Sequence, residues 1–168
     1  MNISKDVLIF GLKFACLSSI SMFTGTALYL SVGGFKVIKE SSKDVKQQVA
    51  GWVSMYQNTA GLQASLAAIS PVLGTTLWQL GQPAYWAVSG ITLSLVIPFT
   101  VGVMAPLANN RLFELNRALS QSSSSSAKSS AEDEASILLD LWDSLHWVRS
   151  VVSVTAFSYL ASKLLRSS

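Results

Sequence analysis

Charge is the scarcest property of this sequence. Only 12% of its 168 residues are Asp, Glu, Lys or Arg, whereas a soluble domain carries about 25%. No charged residue occurs between Lys46 and Arg111. Because a membrane-spanning helix needs about 20 apolar residues to cross about 30 Å of hydrocarbon, this run is long enough for two crossings and the turn between them. The composition therefore predicts an integral, multi-pass membrane protein that contacts the lipid bilayer.

Side chains that bind metals and phosphates are also scarce. The chain has one cysteine, Cys16, and one histidine, His146, so an internal disulfide is excluded and neither residue can hold a metal ion by itself. There is no Gly-rich phosphate loop and no pair of histidines of the haem-binding kind. We therefore predict no metal and no cofactor. The formal charge of +3, without a basic stripe among aromatics, also argues against a nucleic-acid partner.

The apolar runs predict an all-α fold, a four-span transmembrane helix bundle that forms a single membrane domain over residues 1–168. The spans are predicted at about 7–30, 61–80, 84–107 and 136–165, with a tight turn at 81–83. We interpret the first span as a retained helix rather than a cleaved signal peptide, because its apolar stretch exceeds the roughly 7–15 residues of a signal-peptide core. Basic residues favour the two long loops in the cytosol and both termini outside.

Two connecting segments have compositions of their own. Over residues 36–57 the lysines recur every three or four positions, which places them on one face of a short amphipathic helix between spans one and two. This helix is interpreted either as one that lies on the membrane surface or as a solvated helix in the loop, and the sequence leaves both alternatives open. Residues 119–135 are rich in serine, and low complexity of this kind predicts a mobile loop.

A polar stripe runs along the fourth predicted span. Since an α-helix advances about 100° per residue, Trp142, His146, Arg149 and Ser153 fall on one side of it. A charge that faces lipid costs at least about 2.5–3.5 kcal/mol, so the stripe is expected to face the bundle interior or a wet cavity. The alternative is that His146 and Arg149 anchor the helix at the membrane interface, with Trp142 and Trp147 in an aromatic belt.

The third predicted span supplies a second polar group. Pro98 frees a backbone carbonyl in the preceding turn, and Thr100 is able to satisfy neighbouring backbone groups. Asn109 lies at the membrane edge, where helix termination is one interpretation of its presence. The functional interpretation is that Thr100 and Asn109 line a pocket shared with His146 and Arg149.

Two stretches resemble the DUF1772 family, the anthrone oxygenase-like integral membrane proteins. They are PFTVGVMAPLANNRL at 98–112 and LLDLWDSLHWVRS at 138–150. The positions that carry the resemblance are Pro98, Thr100, Met104, Pro106, Asn109, Leu112, Trp142, His146 and Arg149. The length and the four-span layout also fit, so the resemblance covers most of the chain. The chain departs from the family in its serine-rich insert and in His146, where fungal-type members often have asparagine.

The resemblance implies a cofactor-independent monooxygenase that oxidises an anthrone, a hydrophobic polycyclic small molecule, to an anthraquinone with O₂. It implies His146 as the base that removes the anthrone proton and Arg149 as the group that holds the anionic oxygen. Trp142 is then expected to stack on the planar substrate. Thr100 and Asn109 are expected to donate hydrogen bonds to its carbonyl or phenol oxygens.

Two other functions fit parts of the sequence. A non-catalytic membrane scaffold, or an accessory subunit that packs against other membrane subunits, is favoured by abundant small residues, which let helices approach closely in lipid. A small transporter or channel is less consistent, because the interior carboxylates of ion pathways are missing. A cavity bounded by His146, Arg149 and Thr100 would favour the enzyme. Pairing of these groups with one another or with a partner chain would favour the scaffold.

Overall fold

The computed structural model describes residues 4–121 and 125–166, and all regular elements in these ranges are helical. The predicted all-α fold is therefore confirmed. In chain order the elements are α1 (Lys5–Tyr29), a first π-helical turn (Leu30–Gly34), α2 (Phe35–Ser41), α3 (Val45–Gln79), α4 (Tyr85–Ser94), α5 (Val96–Phe99), a second π-helical segment (Thr100–Asn109), α6 (Asn110–Gln121) and α7 (Ser125–Leu165).

Three continuous helical stretches within the described residues are long and apolar enough to cross a membrane. They are Lys5–Ser41, Val45–Gln79 and Tyr85–Gln121, and they contain the first three predicted spans. The fourth predicted span lies in α7, which length and hydropathy do not place among these candidates. The four-span bundle and the single domain over residues 1–168 therefore stay predictions.

A tight turn separates α3 from α4 where the sequence predicts one. The backbone N–H of Gly81 donates to the carbonyl of Trp78 and that of Gln82 donates to the carbonyl of Leu77, both at 3.0 Å. This pair of bonds is a helix-ending Schellman motif, which needs a residue in the left-handed region. Gly81 supplies it with a φ of +83°, because glycine has no Cβ to clash there.

The predicted amphipathic helix over residues 36–57 is wrong in its extent. Residues 42–44 interrupt it, so Lys36 and Lys39 lie on α2 and Lys46 lies in the first turn of α3. The break has a local cause, because the Asp44 carboxylate accepts a hydrogen bond from the Lys46 N–H at 3.0 Å and thereby caps the start of α3. The segment thus belongs to the ends of two long helices and forms no separate helix.

The predicted mobile loop over residues 119–135 is also wrong where the structure describes it. Helix α6 extends to Gln121 and α7 begins at Ser125, while residues 122–124 lie outside the described part of the chain. Ala135 and Leu139, four residues apart on one face of α7, are fully buried. The guanidinium of Arg111 donates to both carboxylate oxygens of Glu134, at 2.6 and 2.9 Å. These tertiary contacts stabilise a helix that serine propensity alone would not.

The chain forms two compact units, the first of three segments and the second of two. Unit 1 comprises Met1–Ala27, Leu62–Ile97 and Arg149–Ser168. In unit 1 the backbones of α3 and α4 touch at glycines: a Cβ on Gly74 would lie 2.3 Å from the carbonyl oxygen of Trp86, and one on Gly90 would lie 2.4 Å from that of Ser70. Small residues thus allow close helix packing here, as expected for a protein in lipid.

Unit 2 comprises Leu28–Gly61 and Pro98–Val148. Its core is mostly aliphatic and aromatic, and its buried members are Phe35, Val49, Trp52, Met104, Ala108, Leu112, Leu115, Leu119, Ala135, Leu139 and Trp142. Four of the five predicted site residues, all except Arg149, belong to this unit.

Candidate functional site

His146, a residue of unit 2, has no exposed surface. Its ring stacks on that of Trp142, with centroids 4.8 Å apart and planes at 26°, because residues four apart on a helix lie on the same face. Its Nδ1 is 2.9 Å from the hydroxyl oxygen of Ser31. A hydrogen bond to one ring nitrogen fixes both the orientation of an imidazole and its tautomer. The single histidine is thus held on two sides by residues of the same unit.

Aromatic rings continue outward from Trp142. We call Phe35, Trp52, Tyr56, Phe113 and Trp142 the aromatic cluster. Its successive ring centroids are 5.2 to 5.9 Å apart, within the range of favourable aromatic pairs. Trp52 meets Trp142 edge-on at 81°, so the indoles present both ring faces and ring edges.

Three buried polar atoms in and beside the aromatic cluster lack a hydrogen-bond partner in the described chain. They are the indole Nε1 atoms of Trp52 and Trp142 and the side-chain oxygen of Asn109. The amide nitrogen of Asn109 is 3.5 Å from the hydroxyl of Tyr56, a long contact for a hydrogen bond. A buried indole N–H usually has an acceptor, so these atoms are suited to recognise oxygen atoms of a ligand.

Ser31, Thr100 and Asn109, three polar residues of unit 2, lie on π-helical backbone. Ser31 is in the first π-helical turn, whose wider i→i+5 bond runs from the Phe35 N–H to the Leu30 carbonyl. Thr100, which is half-buried, begins the second π-helical segment and the buried Asn109 ends it. Single π turns inside α-helices are frequent at functional sites. The second segment also contains Pro106, which lacks the N–H that a regular ladder requires.

A cleft of about 390 Å³ opens beside Ser31. Its lining consists of Ser31, Val32, Phe35, Lys36, Lys39, Glu40 and Asp143, and we call it the Ser31 cleft. Two ion pairs involve its lysines: Lys36 lies 3.7 Å from Glu40, and Lys39 contacts Asp140. One carboxylate oxygen of Asp143 is buried without a partner in the described chain. The Ser31 cleft thus shares Ser31 with the His146 site and Phe35 with the aromatic cluster.

Arg149 lies in unit 1, with 8% of its surface exposed. Its Nη2 donates to the side-chain oxygen of Gln63 at 2.7 Å, and its guanidinium carbon is 5.8 Å from the Phe23 ring centroid. A hydrogen bond from a charged donor, such as this one from Arg149 to Gln63, is about twice as strong as one between neutral groups. The predicted site residues thus have two surroundings: Arg149 contacts residues of unit 1, and His146 contacts residues of unit 2.

The predicted polar stripe of α7 is buried. Trp142, His146, Arg149 and Ser153 are each at most 8% exposed, while Trp147 is 42% exposed. The burial of Trp142 contradicts its place in an aromatic belt at the membrane interface, whereas the exposure of Trp147 is compatible with one. The described residues contain no group of three or more His, Cys, Asp or Glu able to hold a metal ion.

Outside the predicted spans, the charged pair on α6 and α7 has a clear electrostatic consequence. The hydrogen bonds from the Arg111 guanidinium hold the pKa of the Glu134 carboxyl below its ordinary value, because they favour the ionised form. Both side chains are nearly half exposed. The pair therefore links α6 to α7 at a solvent-accessible position away from His146.

Sequence reasoning did not identify three residues of these sites, namely Ser31, Trp52 and Gln63. Ser31 lies two residues before a Gly-Gly pair, and Gln63 is an amide near the start of the second predicted span. A polar group at membrane depth needs a partner, so the position of Gln63 in a predicted span could have indicated that it makes a buried polar contact. Trp52 lies within residues 36–57, the predicted amphipathic helix, and its burial against Trp142 was not foreseeable from that prediction.

Comparison with known proteins identifies a family. The family model described as anthrone oxygenase matches residues 52–159, well over half of the chain. The match includes all five predicted site residues and begins at Trp52 of the aromatic cluster. No curated protein and no solved structure matches the chain. The chain belongs to the anthrone oxygenase family, the DUF1772 family of the predicted resemblance.

Proposed function

We propose that this member of the anthrone oxygenase family is a cofactor-independent monooxygenase, which oxidises an anthrone to an anthraquinone with O₂. The observation that carries the proposal is the enclosure of His146, stacked on Trp142 and hydrogen-bonded through Nδ1 to Ser31. Imidazole titrates near neutrality and is the commonest general base in proteins. Its ring is held in place here before any substrate binds, which is what positioned proton transfer requires.

The chemistry balances without a further oxidant. Nε2 of His146 takes a proton from the anthrone carbon opposite the carbonyl, since the flanking rings and carbonyl stabilise the resulting anthrolate. The electron-rich carbon bonds to O₂ and gives a peroxide anion, which takes up one proton. Loss of water from this hydroperoxide leaves the second carbonyl. One oxygen atom is thus in the anthraquinone and the other in water, and the substrate carbon loses both of its hydrogens.

Substrate recognition is assigned to the aromatic cluster and the polar atoms beside it. Ring faces and edges favour a planar polycycle, while the indole N–H groups of Trp52 and Trp142 are suited to donate to its oxygens. The Asn109 side-chain oxygen would accept from a phenol hydroxyl. The roles of Thr100 as a donor and of Arg149 as the holder of an anionic oxygen stay predictions, each tested by its own alanine variant in the assay below.

We further propose that the protein crosses the membrane four times, with both termini on one side and the long loops in the cytosol. The support comes from the middle of α7, where His146, Arg149, Ser150 and Ser153 are buried while Val148 and Val151 are exposed. A helical stretch that buries such polar side chains and exposes apolar ones is suited to lipid even when the mean hydropathy of the helix is low. A hydrophobic substrate would reach such a protein from the bilayer.

The experiment compares O₂ uptake and anthraquinone absorbance for the wild-type protein and His146→Ala in detergent. Loss of a general base is expected to lower kcat by about 10²- to 10⁴-fold, after subtraction of spontaneous oxidation. Trp142→Phe should raise KM or lower kcat, while Trp147→Phe, a matched change at an exposed tryptophan of the same helix, should do neither. Wild-type turnover by a folded His146→Ala protein would reject His146 as the base.

A non-catalytic scaffold or accessory subunit is the second candidate. It is favoured by Gly25, Gly33 and Gly61, beside which a Cβ would meet no atom within 4 Å, since small residues on open helix faces let a partner helix approach. Under this alternative, anthrones and anthraquinones would not raise the Tm of the wild-type protein. Bulky substitution at these glycines would instead release a co-purifying membrane subunit, whereas under the enzyme proposal such substitution leaves turnover intact.

A further inference from the structure

We infer that Ser31 is a proton relay between His146 and the Ser31 cleft, a role that rests on the proposed function of His146 as the base. His146 has no exposed surface, so its ring nitrogens do not meet bulk solvent directly. Ser31 is within hydrogen-bond distance of Nδ1, at 2.9 Å, and also lines the cleft. One residue therefore borders both environments.

The chemistry of a serine hydroxyl suits this position. It donates one hydrogen bond and accepts two, and its hydrogen rotates freely between partners. When Nε2 of His146 takes the substrate proton, Nδ1–H passes its proton to the Ser31 oxygen, while the Ser31 hydroxyl proton moves to an acceptor in the cleft. Ser31 is unchanged and the imidazole ends neutral, in its other tautomer. The reverse transfer supplies the proton that the peroxide anion needs, so no proton is gained or lost over a turnover.

The relay has an energetic reason. An imidazolium ion at a position with no exposed surface is unfavourable, because burial disfavours a charge. Passing the proton outward keeps His146 neutral during the interval in which O₂ must reach the anthrolate. Without the relay, the buried cation would form at each proton abstraction and the base would be weaker.

Asp143 is the acceptor assigned to the cleft side. It lies one helical turn before His146 on α7, and its Oδ1 is buried without a partner in the described chain. The other charged groups of the cleft come from α2, and two of them, Lys36 and Glu40, form an ion pair. Lys39 is paired with Asp140. On α3, the titratable side chain of the aromatic cluster is Tyr56.

The backbone at Ser31 supports a specialised role. Ser31 lies in the π-helical turn Leu30–Gly34, and such turns recur at functional sites. This turn precedes the region matched by the family model, which begins at residue 52. The relay is thus inferred from the contacts of this chain alone.

The test uses the fact that the chain has a single histidine. With ¹⁵N-labelled histidine in detergent micelles, ring NMR signals report on His146 alone, so its proton exchange with solvent is measured without any turnover. Ser31→Ala is expected to slow this exchange about tenfold or more, as removal of a proton-transfer group does, and to shift the pH profile of kcat. Ser31→Thr retains the hydroxyl and should restore both. Ser144→Ala, an exposed serine of α7, should change neither.

The outcomes separate the two proposals. Unchanged exchange in a folded Ser31→Ala protein overturns the relay, even where His146→Ala abolishes turnover. Slowed exchange in Ser31→Ala with full turnover by His146→Ala supports the path but overturns His146 as the base. If Ser31→Ala does not fold, Asp143→Asn decides: exchange slowed several-fold supports the relay, and exchange at the wild-type rate overturns it.

Discussion

Replacement of Gln63 by leucine tests whether Arg149 depends on the contact that the structure gives it. Gln63 is 2% exposed and accepts a 2.7 Å hydrogen bond from the Arg149 guanidinium. Leucine has a similar size but no acceptor. The substitution therefore removes one charge-assisted bond inside unit 1 while it leaves the surrounding packing nearly filled.

The expected loss follows from two opposing contributions. A hydrogen bond to a charged group contributes about 1.5–3 kcal/mol to the free energy of unfolding. The Gln63 amide nitrogen has no partner in the described chain, so its removal returns about 1 kcal/mol of desolvation cost. The net loss is about 0.5–2 kcal/mol, which corresponds to a factor of about 2–30 in the unfolding equilibrium.

The assay is unfolding by SDS titration in mixed micelles, followed by circular dichroism. Gln57→Leu, an exposed glutamine on the same helix, is the matched control and should change the free energy of unfolding by less than about 0.5 kcal/mol. Gln63→Glu retains an acceptor for Arg149 and should be at least as stable as the wild-type protein at neutral pH. A Gln63→Leu protein as stable as its Gln57→Leu control would refute the reasoning.

Two further predictions concern packing and pH. Gly90→Ala places a Cβ 2.4 Å from the Ser70 carbonyl and should cost about 1–3 kcal/mol by overpacking, whereas Gly25→Ala meets no atom and should not destabilise in the same titration. For Glu134, whose folded-state pKa is lowered by Arg111, the added stability is present above the unfolded-state pKa and lost as pH falls through the folded-state pKa. Glu134→Gln should therefore remove this pH-dependent contribution to the free energy of unfolding, which is at most about 1 kcal/mol because the pair is exposed. The acid side of the Tm–pH curve should become flatter, and an equal flattening by Asp133→Asn would contradict this.

The buried stripe of α7 could be predicted because the helix is uninterrupted there. Between Trp142 and Ser153 the backbone keeps the regular α-helical period, so a projection at about 100° per residue assigns the correct side. The charge-free run likewise located two long apolar helices, since length and hydropathy are properties of the sequence itself. In both cases local regularity was sufficient.

The two connecting segments could not be predicted in the same way, because tertiary contacts outweigh local composition there. Serine-rich sequence favours a loop, yet Ala135 and Leu139 are fully buried in unit 2 and Glu134 is held by Arg111. Conversely, the lysine periodicity continues through residues 42–44, where the Asp44 cap ends the pattern. Propensity is a weak prior that packing and capping overrule.

The π-helical backbone explains why the contact of His146 with Ser31 escaped prediction. A π turn accommodates an extra residue between hydrogen-bonded partners, so every side chain beyond it is displaced from the position that an α-helical projection assigns. Ser31 lies inside such a turn, and Thr100 and Asn109 bound another. A projection extended from α1 at about 100° per residue would therefore misplace Ser31. The contacts of these residues depend on backbone irregularity, which is why the burial of His146 could be predicted from the sequence and its contact with Ser31 could not.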